Sequence, residues 1–205
     1  MTRRLQLPLH RDRPKNWDSL AAYIIIQRYC GDKSANILDA GGEVYSAILP
    51  QLESAGYKNL RCNNLVFKKG IVRRKGSILY EYGDITGTSY ANGCYDAITC
   101  LSVIEHGVNI AAFFKEMSRI LKPGGVLFVS TDYWYDPINT EGKFAYGVPI
   151  RIFSAKQIAN VVQVATIHGF KLAGPLDLTC ADRVVEWKEA QLNFTFIYFT
   201  LIKVR

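Results

Sequence analysis

The chain contains no apolar run near the roughly 20 residues that a bilayer-spanning helix needs. With 49% hydrophobic and 21% charged residues among 205, it is expected to bury that apolar content in one core of ordinary size. Its first fifteen residues are basic and lack an apolar centre or a small-residue cleavage site, so no secretory leader is expected. Cysteine is sparse and unpaired in pattern: Cys30, Cys62, Cys94, Cys100 and Cys180 are odd in number and lack metal-type spacing. That argues against a disulfide framework or a structural metal and fits a reducing cytoplasm. No metal ligands are assigned. Nothing repeats internally, and no stretch reads as a linker, so residues 1–205 are expected to form a single domain with a basic tail over 1–15.

Acidic residues are in deficit, with 18 against 25 Lys and Arg, for a net charge of +7. The cations gather in two places. One is Arg3, Arg4, Arg11, Arg13 and Lys15; the other is Lys68, Lys69, Arg73, Arg74 and Lys75. Each reads either as solvated surface or as a landing site for an anionic partner such as nucleic acid, a phosphorylated sugar or an acidic polysaccharide. No aromatic residue is interleaved for base stacking, which favours solvated surface.

Apolar strands alternate with helical periodicity along the chain. Trp17–Cys30 reads as a helix capped by Asn16 or Asp18, Asn36–Ala40 as a doubly buried strand, and Tyr45–Ala55 as a helix with Pro50 inside it. Strands are expected at Leu60–Val66, Ile78–Tyr82, Tyr95–Leu101 and Val126–Ser130, with residues 67–77 a loop or hairpin. A helix bearing Phe113, Phe114, Met117, Ile120 and Leu121 on one face is stopped by Lys122-Pro123-Gly124-Gly125. Residues 132–151, with Pro137, Gly142, Gly147 and Pro149, read as a lid or binding loop. Ser154 should cap a helix over Ala155–His168, and Lys171–Leu176 and Phe194–Val204 should close the sheet. The fold class is α/β: a doubly wound, mostly parallel sheet with helices on both faces.

Chemistry-bearing residues fall just after the strands, where ligands bind in open α/β sheets. Asp39-Ala40-Gly41-Gly42 follows the first strand, Gly83-Asp84-Ile85 the third, and Ser102-Val103-Ile104-Glu105-His106 the fourth. Gly41-Gly42-Glu43-Val44-Tyr45-Ser46 fails the G-x-G-x-x-G fingerprint, which excludes the usual nicotinamide dinucleotide site.

This ordered series, with Lys122-Pro123-Gly124-Gly125 downstream, resembles the class I S-adenosylmethionine-dependent methyltransferases. The resemblance implies seven strands with an antiparallel last strand, and S-adenosylmethionine as cofactor. By that resemblance Asp39, Gly41 and Gly42 would hold the methionine end. Asp84 and Ile85 would take the adenine, with Leu101 and Ser102 completing the cofactor wall. The chain departs from the pattern at Glu43 and Tyr45, where glycines are usual, and at Asn63 and Asn64, where an acid usually grips the ribose. An asparagine amide can still bond a diol, without the strength of a carboxylate.

Methyl transfer needs alignment, exclusion of water and, for a hydroxyl acceptor, a base. His106 reads as that base or as a structural histidine, with Glu105 placed to orient it, and Asp132 as the next candidate. Tyr133, Trp134, Arg151 and Arg183 are expected to line the acceptor pocket. His168 reads as a helix-end cation, and His10 belongs to the tail. The expected acceptor is a small molecule or saccharide, anionic if the cations serve it, with oxygen the preferred atom. Two alternatives stand beside it: a nucleic-acid methyltransferase using the basic clusters, and a catalytically silent partner of the same fold.

Overall fold

Five strands carry most of the core, and their two-sided burial follows from helices on both faces. The computed structural model describes residues 7–10 and 15–204. In chain order the elements are α1 (Asn16–Tyr29), β1 (Asn36–Ala40), α2 (Ile48–Ser54), β2 (Asn59–Asn64), β3 (Val72–Lys75), β4 (Ile78–Tyr82), β5 (Tyr95–Leu101) and α3 (Ile110–Ile120). They continue as β6 (Leu121–Tyr133), β7 (Phe144–Ala145), β8 (Val148–Pro149), α4 (Ala155–Ile167), β9 (Phe170–Leu172), β10 (Val185–Trp187) and β11 (Leu192–Lys203). The cations Arg3, Arg4, Arg11 and Arg13 lie outside the described residues.

The main sheet has order β10-β11-β6-β5-β1-β2-β4-β3, with β9 also paired to β11. β4, β2, β1, β5 and β6 are mutually parallel, and β11 runs antiparallel to β6. The seven expected strands are therefore present, and two antiparallel edge strands, β3 and β10, bring the sheet to nine. On one face Leu38, Ile98, Leu127 and Val129 pack with Phe113, Phe114 and Met117 of α3 and Ile158 and Val161 of α4. On the other, Ile37, Ala97 and Phe128 pack with Ala22 and Ile26 of α1 and Ile48, Leu49 and Leu52 of α2. No helix among the described residues is long and apolar enough to cross a membrane.

Several boundaries shift for identifiable reasons. The second helix starts at Ile48 rather than Tyr45, placing Pro50 in its first turn, where a missing N–H removes no helical bond. Ser154 caps α4 as expected, in a reciprocal capping box with Gln157. α1, in contrast, has no side-chain cap, and Asp18 is buried instead. Its position fits: Asp18, Ala22 and Ile26 are spaced at four residues and share the inward face.

β6 extends from Leu121 to Tyr133, with an irregularity opposite Tyr95 and Ala97 that absorbs the Pro-Gly-Gly run. Asp132 and Tyr133 are thus strand residues paired with Phe196 and Thr195, not loop residues. The segment after them is no open lid. It forms the β7–β8 hairpin, and Trp134, Ile138, Ile150 and Ile152 join Leu192, Phe194 and Phe196 in a third small apolar cluster.

Between β2 and β4 there is a hairpin and no crossover helix, as the two glycines and five cations of 67–77 suggested. Phe67 packs edge-on against Tyr80 at 5.9 Å and covers the sheet there. Glu53 of α2 accepts hydrogen bonds from the Ser77 N–H at 2.6 Å and its hydroxyl at 2.8 Å, tying the hairpin down.

Phe113 is wholly buried between α3 and the sheet. Phe113→Ala should lower unfolding stability by about 3–5 kcal/mol, measured by denaturant titration, because the cavity adds to the lost transfer energy. A loss below about 1 kcal/mol would contradict this packing.

Candidate active site

β1 ends at Ala40, and the chain turns sharply at Gly41, whose φ of +83° suits glycine. A Cβ at Gly41 would lie 2.6 Å from Val103, and one at Gly42 only 1.9 Å from Asp39 Oδ2. The backbone therefore folds directly over the Asp39 carboxylate. Asp39 Oδ1 accepts from the Thr99 hydroxyl at 2.8 Å, while Oδ2 is buried without a partner. Burial pushes the Asp39 carboxyl up to about 7, against the opposing Thr99 bond. Asn64, at the end of β2, donates its amide to the Gly41 and Gly42 carbonyls at 2.7 and 3.0 Å and clamps the turn.

The loop after β5 forms the neighbouring wall. Ser102 holds a left-handed backbone, with φ of +53°, an uncommon state for a non-glycine residue that clusters at functional sites. Its N–H donates to the Ser130 carbonyl at 3.0 Å, and its own hydroxyl is buried without a partner. Glu105 is buried, with Oε2 accepting from the Thr131 hydroxyl at 2.9 Å and Oε1 unpartnered. Its backbone carbonyl accepts from the Arg151 N–H at 2.9 Å, which anchors the β7–β8 hairpin over the site.

Asp132 stands close enough to Glu105 for their charges to interact. Burial drives both carboxyls well above the ordinary range, Asp132 adding to the rise at Glu105 and Lys15 opposing it at both. A third buried acid, Asp18, accepts from the Ser130 hydroxyl at 2.9 Å, and its carboxyl is also raised by burial.

His106 packs edge-on against Tyr146 at 5.5 Å, at the tip of that hairpin. Burial, aided by the charge of Lys15, pushes its imidazole down to about 4. The ring is therefore neutral at physiological pH, with Nδ1 buried and unpartnered. Tyr45, in the turn after β1, meets Glu43 and Tyr146 through its hydroxyl, and His10 packs against its ring at 5.5 Å. These contacts bridge the β1 and β5 loops across the carboxyl edge.

The structure brings Asp39, Gly41, Gly42, Ser102, His106 and Asp132 to this one edge. Asn63 is fully buried with its amide against Gly83, and both Asn64 amide hydrogens serve the glycine turn. Asn64 is thus spent on the turn, whereas the Asn63 amide is buried with both Nδ2 and Oδ1 unpartnered. Asp84 is exposed and forms a local turn, Oδ1 accepting from the Thr86 N–H at 2.8 Å and its hydroxyl at 2.7 Å. Ile85 packs into the core at 7% exposure, and Leu101 packs against the α1–α2 side.

Tyr133 is a core residue whose hydroxyl donates to the Leu178 carbonyl at 2.6 Å; strand alternation turns it away from Asp132. Trp134 lies under the Arg183 guanidinium at 4.2 Å, and Arg183 also donates to the Asn193 carbonyl, so these two do meet. Arg151 sits over Phe153 at 5.5 Å. Glu105 bonds Thr131, not the His106 ring. Lys15, Tyr45 and Tyr146 were not expected at the site, and Asp18, one of the two residues expected to cap α1, is buried instead. The available signal was Asp18 itself, an acid in register with an apolar helical stripe.

The buried acids and His106 set opposite pH trends. Asp39, Glu105 and Asp132 bind protons more readily folded than unfolded, so their contribution is full below about pH 4 and lost as pH rises through their folded values. His106 is depressed, so its contribution is present above about pH 6.5 and lost as pH falls towards 4. Above neutrality only the acids act, and the ligand-free Tm should fall between about pH 6.5 and 8.5. Glu105→Gln should flatten that fall, read by thermal melts; an unchanged slope would contradict the assignment.

A family model described as a methyltransferase domain matches residues 57–129. The chain is 27% identical over 187 residues to a ubiquinone biosynthesis O-methyltransferase of Xanthomonas campestris pv. campestris, covering 88% of this chain and 72% of that protein. It is 24% identical over 137 residues to a sterol 24-C-methyltransferase of Schizosaccharomyces pombe, covering 64% and 35% of the two chains. Among solved structures, an S-adenosylmethionine-dependent methyltransferase from Mesorhizobium loti superposes with a TM-score of 0.62 at 15% identity, covering 90% of this chain and 97% of that one. Geranyl diphosphate C-methyltransferase from Streptomyces coelicolor superposes with a TM-score of 0.65 at 14% identity, covering 96% and 86%. The strand order, the glycine turn over Asp39 and these likenesses agree: the fold is that of the class I, Rossmann-like S-adenosylmethionine-dependent methyltransferases, and residues 57–129 match a methyltransferase domain.

Proposed function

We propose that the protein transfers a methyl group from S-adenosylmethionine to a hydroxyl oxygen of a small-molecule or saccharide acceptor. One juxtaposition carries the reading. An unpartnered buried carboxylate oxygen, Asp39 Oδ2, and a proton-accepting carboxylate pair, Glu105 and Asp132, lie at the same sheet edge. The likeness to an O-methyltransferase supports oxygen as the acceptor atom.

The residues present fit the cofactor. The bare Gly41-Gly42 turn allows close approach, and Asp39 beneath it supplies negative charge for an ammonium group, directly or through the turn. Leu65 and Val66, exposed after β2, and Tyr82, paired with Asn64, offer apolar surface for the adenine. Asp84 keeps its second carboxylate oxygen for the adenine amino group. When bound, the cofactor supplies a methyl carbon activated by a sulfonium. Ser102, His106 and the hairpin above them align the acceptor and exclude water.

As the acceptor oxygen would bond the methyl carbon, with the carbon–sulfur bond breaking to leave a neutral thioether, its proton would pass to the less buried member of the acid pair, Asp132. His106, whose basicity burial has lowered, serves as a neutral hydrogen-bonding group rather than as the base.

Calorimetry with S-adenosylhomocysteine should show binding, and Asp39→Ala should weaken it by about 1–3 kcal/mol. No binding by folded protein would overturn the reading. In a methyl-transfer assay with a hydroxylated acceptor, kcat should rise with pH across the neutral range as the acid pair ionises. Asp132→Asn should lower kcat by about 10²–10⁴-fold and remove that rise, whereas His106→Ala should keep it. Loss of the rise in His106→Ala would restore the histidine as base.

A further inference from the structure

Among the described residues, the hairpin that replaces the crossover helix gathers cations on one side without acids among them. Residues 65–77 contain five cations and no acid. Lys68, Lys69, Arg73, Arg74 and Lys75 are all exposed, and among the described residues none of them forms an ion pair. The nearby acids are already engaged: Glu53 holds Ser77, and Glu81 pairs with Arg61 at 2.7 Å.

Apolar side chains are exposed amid these charges, Ile71 at 40% and Val72 at 56%. Cations on an edge strand discourage pairing with another chain. That purpose gives no reason for exposed aliphatics beside them, nor for the two lysines at the turn.

The hairpin also points in a defined direction. β3 is antiparallel to β4, and Val72 pairs with Glu81 near the carboxyl end of β4. The turn at 68–71 therefore stands on the carboxyl edge of the sheet, the edge that carries the candidate active site. The β7–β8 hairpin rises from the same edge, with Tyr146 82% and Phe144 59% exposed near its tip.

We propose that this edge docks on an anionic lipid bilayer surface, the β3 cations meeting headgroup phosphates while Ile71, Val72, Phe144 and Tyr146 enter the interfacial zone. Cations beside shallow apolar residues suit such a surface, and tyrosine favours the headgroup level. Nucleic acid fits less well. The one aromatic residue within 65–77, Phe67, is packed on Tyr80 and offers no free face for a base. Docking in this orientation opens the acceptor site towards the membrane, so an acceptor can enter without crossing water. The docking itself does not depend on methyl transfer.

Co-sedimentation of the full chain with vesicles tests the proposal. Vesicles of about equal phosphatidylglycerol and phosphatidylcholine should bind the protein, pure phosphatidylcholine should not, and added salt should weaken the binding. Reversing Lys68, Arg73, Arg74 and Lys75 to glutamate should weaken binding by at least about a hundredfold, since each cation contributes about fivefold near such a surface. Separately, Ile71→Asp with Val72→Asp should weaken it by at least about tenfold. Both variants should keep their thermal melts and their S-adenosylhomocysteine affinity, which separates failure of docking from failure of the fold or of the proposed activity. Lack of binding to the anionic vesicles would overturn the proposal. So would vesicle binding that ignores Ile71 and Val72, or tighter binding to an unstructured RNA lost in the charge-reversal variant; the latter would make nucleic acid the occupant.

Discussion

The Asp39 carboxylate sits at the end of β1 with one oxygen bonded to Thr99 and the other bare beneath Gly42. Much of the candidate site is arranged around that half-satisfied group. Gly42 can have no side chain because Oδ2 occupies the space a Cβ would need. Gly41 must turn left-handed to carry the chain over it, and Asn64 secures the turn from β2. Val103, from the loop after β5, closes against Gly41 and so brings Ser102, Glu105 and His106 to the same place. A buried carboxyl without a full set of partners costs stability, and such groups persist where a ligand completes them.

The second half of the site follows a related logic. Asp18, Glu105 and Asp132 are drawn from α1, the β5 loop and β6, and burial raises all three. Lys15 supplies opposing charge from the start of α1. The result is a pair of carboxyls, Glu105 and Asp132, that exchange protons near neutrality, with Asp18 raised beside them and a histidine held neutral. That division suits removal of a hydroxyl proton better than a lone imidazole of lowered basicity.

The fold class and most elements were legible in the sequence because apolar period and glycine punctuation agree along the chain. The glycine turn was legible for the same reason. What stayed hidden were partnerships that only tertiary packing creates. Asn63 and Asn64 look equally available at the end of a strand, yet one is sealed by Gly83 and the other is spent on the turn. Asp132 and Tyr133 read as loop residues because the polar Ser130-Thr131-Asp132 run breaks the apolar strand pattern, and only pairing with β11 carries β6 on to Tyr133. Tyr133 then faces the core by alternation alone. Tyr45 and Tyr146 are far apart in sequence and meet only because the β7–β8 hairpin folds back over the β1 and β5 loops.

The central claim is that Asp39 receives the cofactor's ammonium group. Proton release on binding tests it most directly, by calorimetry with S-adenosylhomocysteine in buffers of different ionisation enthalpy. A carboxyl held up to about 7 in the free protein must ionise when a cation arrives. The account predicts release of close to one proton per molecule bound near about pH 6, declining towards zero by about pH 8.5, and absent in Asp39→Asn. Binding with no proton release at the lower pH, or with the same release in Asp39→Asn, would contradict it.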